Sequence, residues 1–168
     1  MTADGPRAPV LNIRRAMSHE SVRLFGVWWR SVCATHTFLS EADLRALAPQ
    51  VRDLGLAQLD TWVLCDDRQC PVGFLVMNRH HIEALFIVPE WLRRGAGTRL
   101  VRHARSLRGA LTVDVNEQNI PALRFYEAMG FSVVGRSATD GAGRPFPLLH
   151  LRQLSGERSA PSPSLPEK

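Results

Sequence analysis

Lysine is all but missing from this 168-residue chain: of its 21 basic residues only Lys168 is not an arginine. That habit reflects genome composition and says little about function. No apolar run is long enough to cross a bilayer, and the N-terminal residues lack a signal peptide's apolar segment, so a cytoplasmic protein with no membrane partner is expected. Cysteine is scarce and odd in number, with Cys33, Cys65 and Cys70 lacking zinc-ligand spacing. Reduced thiols are expected rather than disulfides or a metal site. The formal charge of +5 invites a nucleic-acid partner, but the arginines are scattered and no aromatic-basic interleave accompanies them, so no nucleic acid is expected. With 45% hydrophobic residues the chain can bury one core, and no internal repeat divides it.

What is present centres on Leu85 to Thr98, read as a buried strand, a proline stop at Pro89, a glycine turn and the start of a helix. The helix carries Leu100, Val101, Ala104 and Leu107 and stops at Gly109, read as a left-handed cap. Gly95 and Gly97 let backbone approach a ligand, and first-turn amides around Ala96 and Thr98 are left unpaired. With Arg93, Arg94 and the helix dipole they form a cradle for a pyrophosphate. There is no Gly-Lys-Ser/Thr, so an NTP-hydrolysing P-loop is not expected, and the glycine spacing is not the dinucleotide fingerprint.

Around this stretch the pattern predicts a strand over residues 10–14 and a helix capped by Ser18 that carries Val22, Leu24, Phe25, Trp28, Trp29 and Val32. A second helix opens at Ser40 and is bent or broken by Pro49. A hairpin joins residues 61–65 to 72–77, and a central strand covers 81–88. Then come strand 111–115, a helix from Asn119 to Gly130 with Pro121 in its first turn, and strands 131–135 and 147–151. The expectation is a mixed α/β fold of the α+β kind, with a loose leader over 1–7, one domain over 8–153, and a disordered Ser/Pro/Glu-rich tail over 154–168.

The Val-Pro strand exit, Arg93-Arg94-Gly95-Ala96-Gly97-Thr98, and Asn119-x-x-Ala122-x-x-Phe125-Tyr126-x-x-x-Gly130-Phe131 together resemble the GNAT superfamily of acetyl-CoA-dependent N-acetyltransferases. Strand and helix order agrees over about 150 residues of the 168. Leu92 departs from the pattern, since Gln or Arg is frequent there. The resemblance implies a single domain with a mostly antiparallel, splayed central sheet flanked by helices, binding acetyl-CoA as acyl donor. Backbone around Leu85, Phe86 and Val88 would pair with the pantetheine arm, and Asn119, Ala122 and Tyr126 would line the other wall. It also implies direct attack by a primary amine in a ternary complex. The acceptor is a protein lysine, a protein N-terminus or a small amine, and the enzyme acts as a monomer or a homodimer without a metal. A non-catalytic acyl-CoA-binding sensor is the alternative.

Tyr126, the only tyrosine, is the expected general acid, because a phenol can hydrogen-bond to or protonate the leaving thiolate. Alternation puts His81, Glu83 and Leu85 on one strand face, which makes His81 or Glu83 the candidate base. Asn116 and Glu117 are acceptor-site candidates, Glu117 as an anchor for a cationic amine. Trp29, His36 and Phe38 are expected to complete the acceptor pocket, since adjacent tryptophans cannot share one helix face. His150 is read as a sheet histidine.

Overall fold

The computed structural model describes residues 10–154. The leader over 1–7 and the tail from residue 155 onward lie outside the described residues. Among the described residues seven strands make one sheet: β1 (Asn12–Arg15), β2 (Asp60–Cys65), β3 (Pro71–Asn78), β4 (His81–Ile87), β5 (Thr112–Asn116), β6 (Phe131–Ser137) and β7 (Leu148–Gln153), ordered β1-β2-β3-β4-β5-β7-β6. All neighbours are antiparallel except β4 and β5, which are parallel. β3 is buried along nearly its whole length, as its continuous Val72–Met77 apolar run requires of a strand covered on both faces. The β2–β3 turn is closed by Asp66 Oδ1, which accepts the amides of Arg68 and Cys70.

Four α-helices among the described residues cover the sheet: α1 (Ser21–Thr35) and α2 (Glu41–Asp53) on one face, α3 (Ala96–Arg108) and α4 (Ile120–Ala128) on the other. Ser18 does not cap α1. It opens a 3-10 turn (Ser18–Glu20), and the buried Glu20 carboxylate takes both the Met17 amide at 2.8 Å and the Arg14 guanidinium at 2.9 and 2.8 Å. That pair ties β1 to the start of α1. α2 begins as expected, with Ser40 Oγ accepting the Asp43 amide and Asp43 accepting the Ser40 amide. It continues through Pro49 rather than breaking there, because Pro49 and Arg45, whose carbonyl loses its i+4 amide partner, both lie on the exposed side, open to solvent. Gly109 ends α3 at φ 78°, ψ −145°, a positive-φ terminus outside the left-handed helical region.

Two features of β4 shape the surface it offers to a ligand. The register shifts between Val76 and Met77, so that Met77 faces Ile82 but Val76 faces Ala84, and Glu83 is an extra, bulged residue. Alternation therefore resets: His81, Ala84 and Phe86 point to the α1–α2 face and Ile82, Leu85 and Ile87 to the α3–α4 face. The expected common face for His81, Glu83 and Leu85 does not exist. The second feature is the seam, since β4 and β5 pair only at His81–Thr112 and Ile82–Val113 and then diverge.

Candidate active site

The divergence leaves a cleft of ≈ 180 Å³ between the two strands. Glu83, Leu85 and Phe86 line its β4 side and Asp114 and Asn116 its β5 side; Asn119, Ala122 and Tyr126 close it from α4, and His36 from the end of α1. Val88 donates its amide to Val72 O at 2.9 Å and accepts from Trp91 N at 3.0 Å. Its backbone is committed to the fold, contrary to the expectation that it meets a cofactor. Alternation from that bond turns Phe86 towards β3 and the backbone of Leu85 and Ile87 towards the open seam. Phe86 thus lines the cleft with its ring rather than its amide.

Tyr126 is buried, its ring edge-on to Phe125 at 5.0 Å and Phe131 at 5.2 Å. Burial pushes its phenol well above its ordinary pKa, so it holds its proton throughout the neutral range. Asn119 is also buried and caps α4, its Oδ1 accepting the Ala122 amide at 3.3 Å. Glu83 is exposed and accepts from Asn78 Nδ2 at 3.1 Å. His81 sits at the closed end of the seam, with Nδ1 2.8 Å from Thr112 Oγ1 and Nε2 3.8 Å from Asp114 Oδ2.

At the other end, a 3-10 turn (Pro89–Trp91) leads into Arg93 at φ 57° and Gly95 at φ 78°, the residue that precedes α3. A Cβ at Gly95 would meet nothing, so the turn is open to solvent, and no side chain caps the first amides of α3. Gly97 has a packing role as well: a Cβ there would stand 3.2 Å from Phe125 Cζ, so this glycine lets α3 and α4 touch. Ala96 is buried, Thr98 is half-buried in the first turn, and Arg94 lies 4.4 Å over the Trp91 ring.

A second cavity of ≈ 250 Å³ joins the cleft through His36, Phe86 and Asn116 and extends between α1, α2 and the start of β7. Its walls are apolar, with the Asp140–Arg144 pair among its lining residues. Burial pushes the His36 imidazole down to about 4, so it is neutral at pH 7. Its ring lies 5.4 Å from Phe38 and 5.9 Å from Phe86. Trp28, buried, lines this cavity; Trp29, expected in the acceptor pocket, is exposed and lines neither. Glu117 lines neither cavity, and its carboxylate is held by Arg136 at 2.8 and 2.8 Å, which lowers its pKa. It is not a free anchor for an amine.

Residues 46–133 match the acetyltransferase (GNAT) domain family. The chain is 46% identical over 142 residues to the peptidyl-lysine N-acetyltransferase YjaB of Salmonella typhimurium, covering 84% of this chain and 97% of that protein. The chain belongs to the GNAT acetyltransferase family. It is also similar to peptidyl-lysine N-acetyltransferase YiaC of Escherichia coli, at 32% identity over 73% of this chain and 84% of that one. Among solved structures, the solution structure of apo-form YjaB from Escherichia coli superposes with a TM-score of 0.81 at 43% identity, covering 87% of this chain and 99% of that one. The PaiA N-acetyltransferase of Thermoplasma acidophilum, solved with coenzyme A, shares the fold at a TM-score of 0.71 and 17% identity, covering 86% and 98%.

The single-domain, mixed α/β GNAT fold with a splayed sheet is the architecture expected of this family and observed here. Asp114 and His150 had no role in the sequence expectations, and of the two adjacent tryptophans Trp28 takes the place expected of Trp29. Asp114 was legible in principle, since polar Thr112, Asp114 and Asn116 alternate with buried Val113 and Val115. Only the fold shows which of those polar residues reaches the seam.

Proposed function

We propose that the protein transfers acetyl from acetyl-CoA to the ε-amine of lysine in a protein or peptide acceptor, by direct attack in a ternary complex. The observation that carries this reading is the open β4–β5 seam, a cleft with carboxylates and a buried phenol on its walls and neither Arg nor Lys among its described lining residues. A pantetheine arm would add itself as a strand beside β4, taking the outward backbone groups of Leu85 and Ile87. Its pyrophosphate would rest on the first amides of α3 at Gly95–Thr98, with Arg93 and Arg94 on the exposed rim.

Tyr126 acts as donor to the departing sulfur. Because burial disfavours its phenolate, it keeps the proton in the ground state and offers it where thiolate charge develops. Asn119 and Ala122 support that wall, and the second cavity, with Trp28, His36 and Phe86, would take the apolar stem of the acceptor. The relatives named peptidyl-lysine N-acetyltransferases favour lysine over a small amine.

The test follows release of free CoA thiol with lysine-containing peptides, the same peptides Nε-blocked with a free N-terminus, and small polyamines. Release that needs the ε-amine is the expected result. Tight acetyl-CoA binding without release on any amine would overturn the enzyme reading in favour of an acyl-CoA sensor.

A further inference from the structure

Asp114 is held by a side-chain chain that spans three strands. Its Oδ1 lies 2.6 Å from His150 Nδ1 on β7, and His150 Nε2 lies 2.7 Å from Ser137 Oγ on β6. A carboxylate only accepts, so a proton is assigned to His150 Nδ1, which leaves Nε2 to meet the Ser137 hydroxyl. The rung is built for this arrangement, because Asp114, His150 and Gly135 are cross-strand partners. A Cβ at Gly135 would stand 3.3 Å from His150 Cδ2, so glycine leaves the imidazole its place. Asp114 Oδ2 remains, turned towards His81 Nε2 at 3.8 Å, while Asp114 itself lines the cleft shared with Tyr126. In a chain of net charge +5, that cleft is lined among the described residues by two carboxylates, Glu83 and Asp114, and by no Arg or Lys.

We propose that Asp114 anchors the acceptor's ammonium group and, with His81, takes its proton before attack, while His150 and Ser137 position the carboxylate. The inference rests on the lysine reading above. Asp114 Oδ2 accepts an N–H of the ammonium and one proton passes to the Asp114–His81 pair, then to solvent at the exposed sheet face. The amine lone pair forms the C–N bond to the acetyl carbon and the C–S bond breaks. Tyr126 gives its proton to the sulfur and is reprotonated by the second proton that the nitrogen sheds. The products are the amide, CoA thiol and one released proton. The groups facing Asp114 are His81 and Glu83 from β4, Thr112 on its own strand, His150 and Arg152 from β7, and His36 across the cleft.

The experiment compares wild type with Asp114→Asn, His150→Phe and His150→Gln, measuring kcat/KM for a lysine peptide from pH 6 to 10 alongside acetyl-CoA affinity. Asp114→Asn is expected to lose roughly 100-fold in kcat/KM, within the range of general-base contributions, with acetyl-CoA affinity unchanged within about twofold. Its rate should climb with pH towards the free lysine pKa of about 10.4, since the unprotonated amine must then come from bulk solvent. His150→Phe should lose about tenfold, and His150→Gln, which can still donate to the carboxylate, should recover most of it. A purely structural role would not move the pH profile. A wild-type-only measurement is independent of variant folding: a peptide with 6-hydroxynorleucine in place of lysine, lacking the charge, should inhibit at least tenfold more weakly than its acetylation-competent parent binds. Equal binding of the two peptides, or Asp114→Asn with the wild-type rate and profile, overturns the proposal and leaves lysine acetylation standing. A wild-type protein inert on every amine removes both.

Discussion

Phe125 on α4 presses its ring against Gly97 on α3, at a spacing that would put an added Cβ 3.2 Å from Cζ. Tyr126 is the next residue in the chain, its ring 5.0 Å from Phe125. Gly97→Ala is therefore expected to displace α4 and carry the phenol with it. Overpacking at such a contact costs about 1–3 kcal/mol, read as a lowered urea midpoint, and turnover should fall several-fold. Gly95→Ala has open space around it but sits at φ 78°. It should cost about 1–2 kcal/mol from backbone strain alone.

Tyr126→Phe keeps the edge-on packing on Phe125 and Phe131 and removes only the hydroxyl. Turnover should drop at least tenfold while acetyl-CoA affinity measured by calorimetry stays near wild type. Unchanged turnover would remove Tyr126 as the donor to sulfur.

Glu117→Gln tests the opposite expectation. The residue is half-buried, its carboxylate held by Arg136 and outside both cavities. KM for a lysine peptide should stay within about twofold of wild type, as surface pairs contribute little. A tenfold rise would return Glu117 to the acceptor site.

Glu20 makes stability depend on pH. Its buried carboxylate, hydrogen-bonded by Arg14 and by the Met17 amide, has its pKa lowered to about 2. A depressed carboxylate pKa contributes stability that is present above the unfolded value near 4.3 and is lost as pH falls towards 2. The shift corresponds to about 3 kcal/mol. Urea midpoints should decline between pH 5 and pH 2. In Glu20→Gln that part of the decline should vanish, on a protein already less stable at pH 7.

What could be read from the chain was what depends on near neighbours. Asn119 with Pro121 announces a helix start, Ser40 with Asp43 a capping box, and the Gly95 turn and the lone Tyr126 keep fixed offsets. What could not be read depends on register between distant strands. The Glu83 bulge reverses the faces of β4 without any local mark, since Ile82-Glu83-Ala84 reads as ordinary alternation. The commitment of Val88 to Val72 is invisible until the hairpin partner is aligned. Trp28 and Trp29 carry equal hydrophobic weight, so only packing decides which one faces the interior. His150 acquires Asp114 and Ser137 only because β7 inserts between β5 and β6.

That seam of two residue pairs between β4 and β5 also divides the sheet mechanically. Strands β1–β4 form one plate and β5, β7 and β6 another, joined along a short weld at His81–Ile82. A pantetheine chain lying in the gap would act as an extra rung, lacing the plates together. Donor binding should then make the two halves unfold as one unit. In its absence, amide exchange in β6 and β7 should be faster than in β2 and β3, and acetyl-CoA should slow it well beyond the residues it touches.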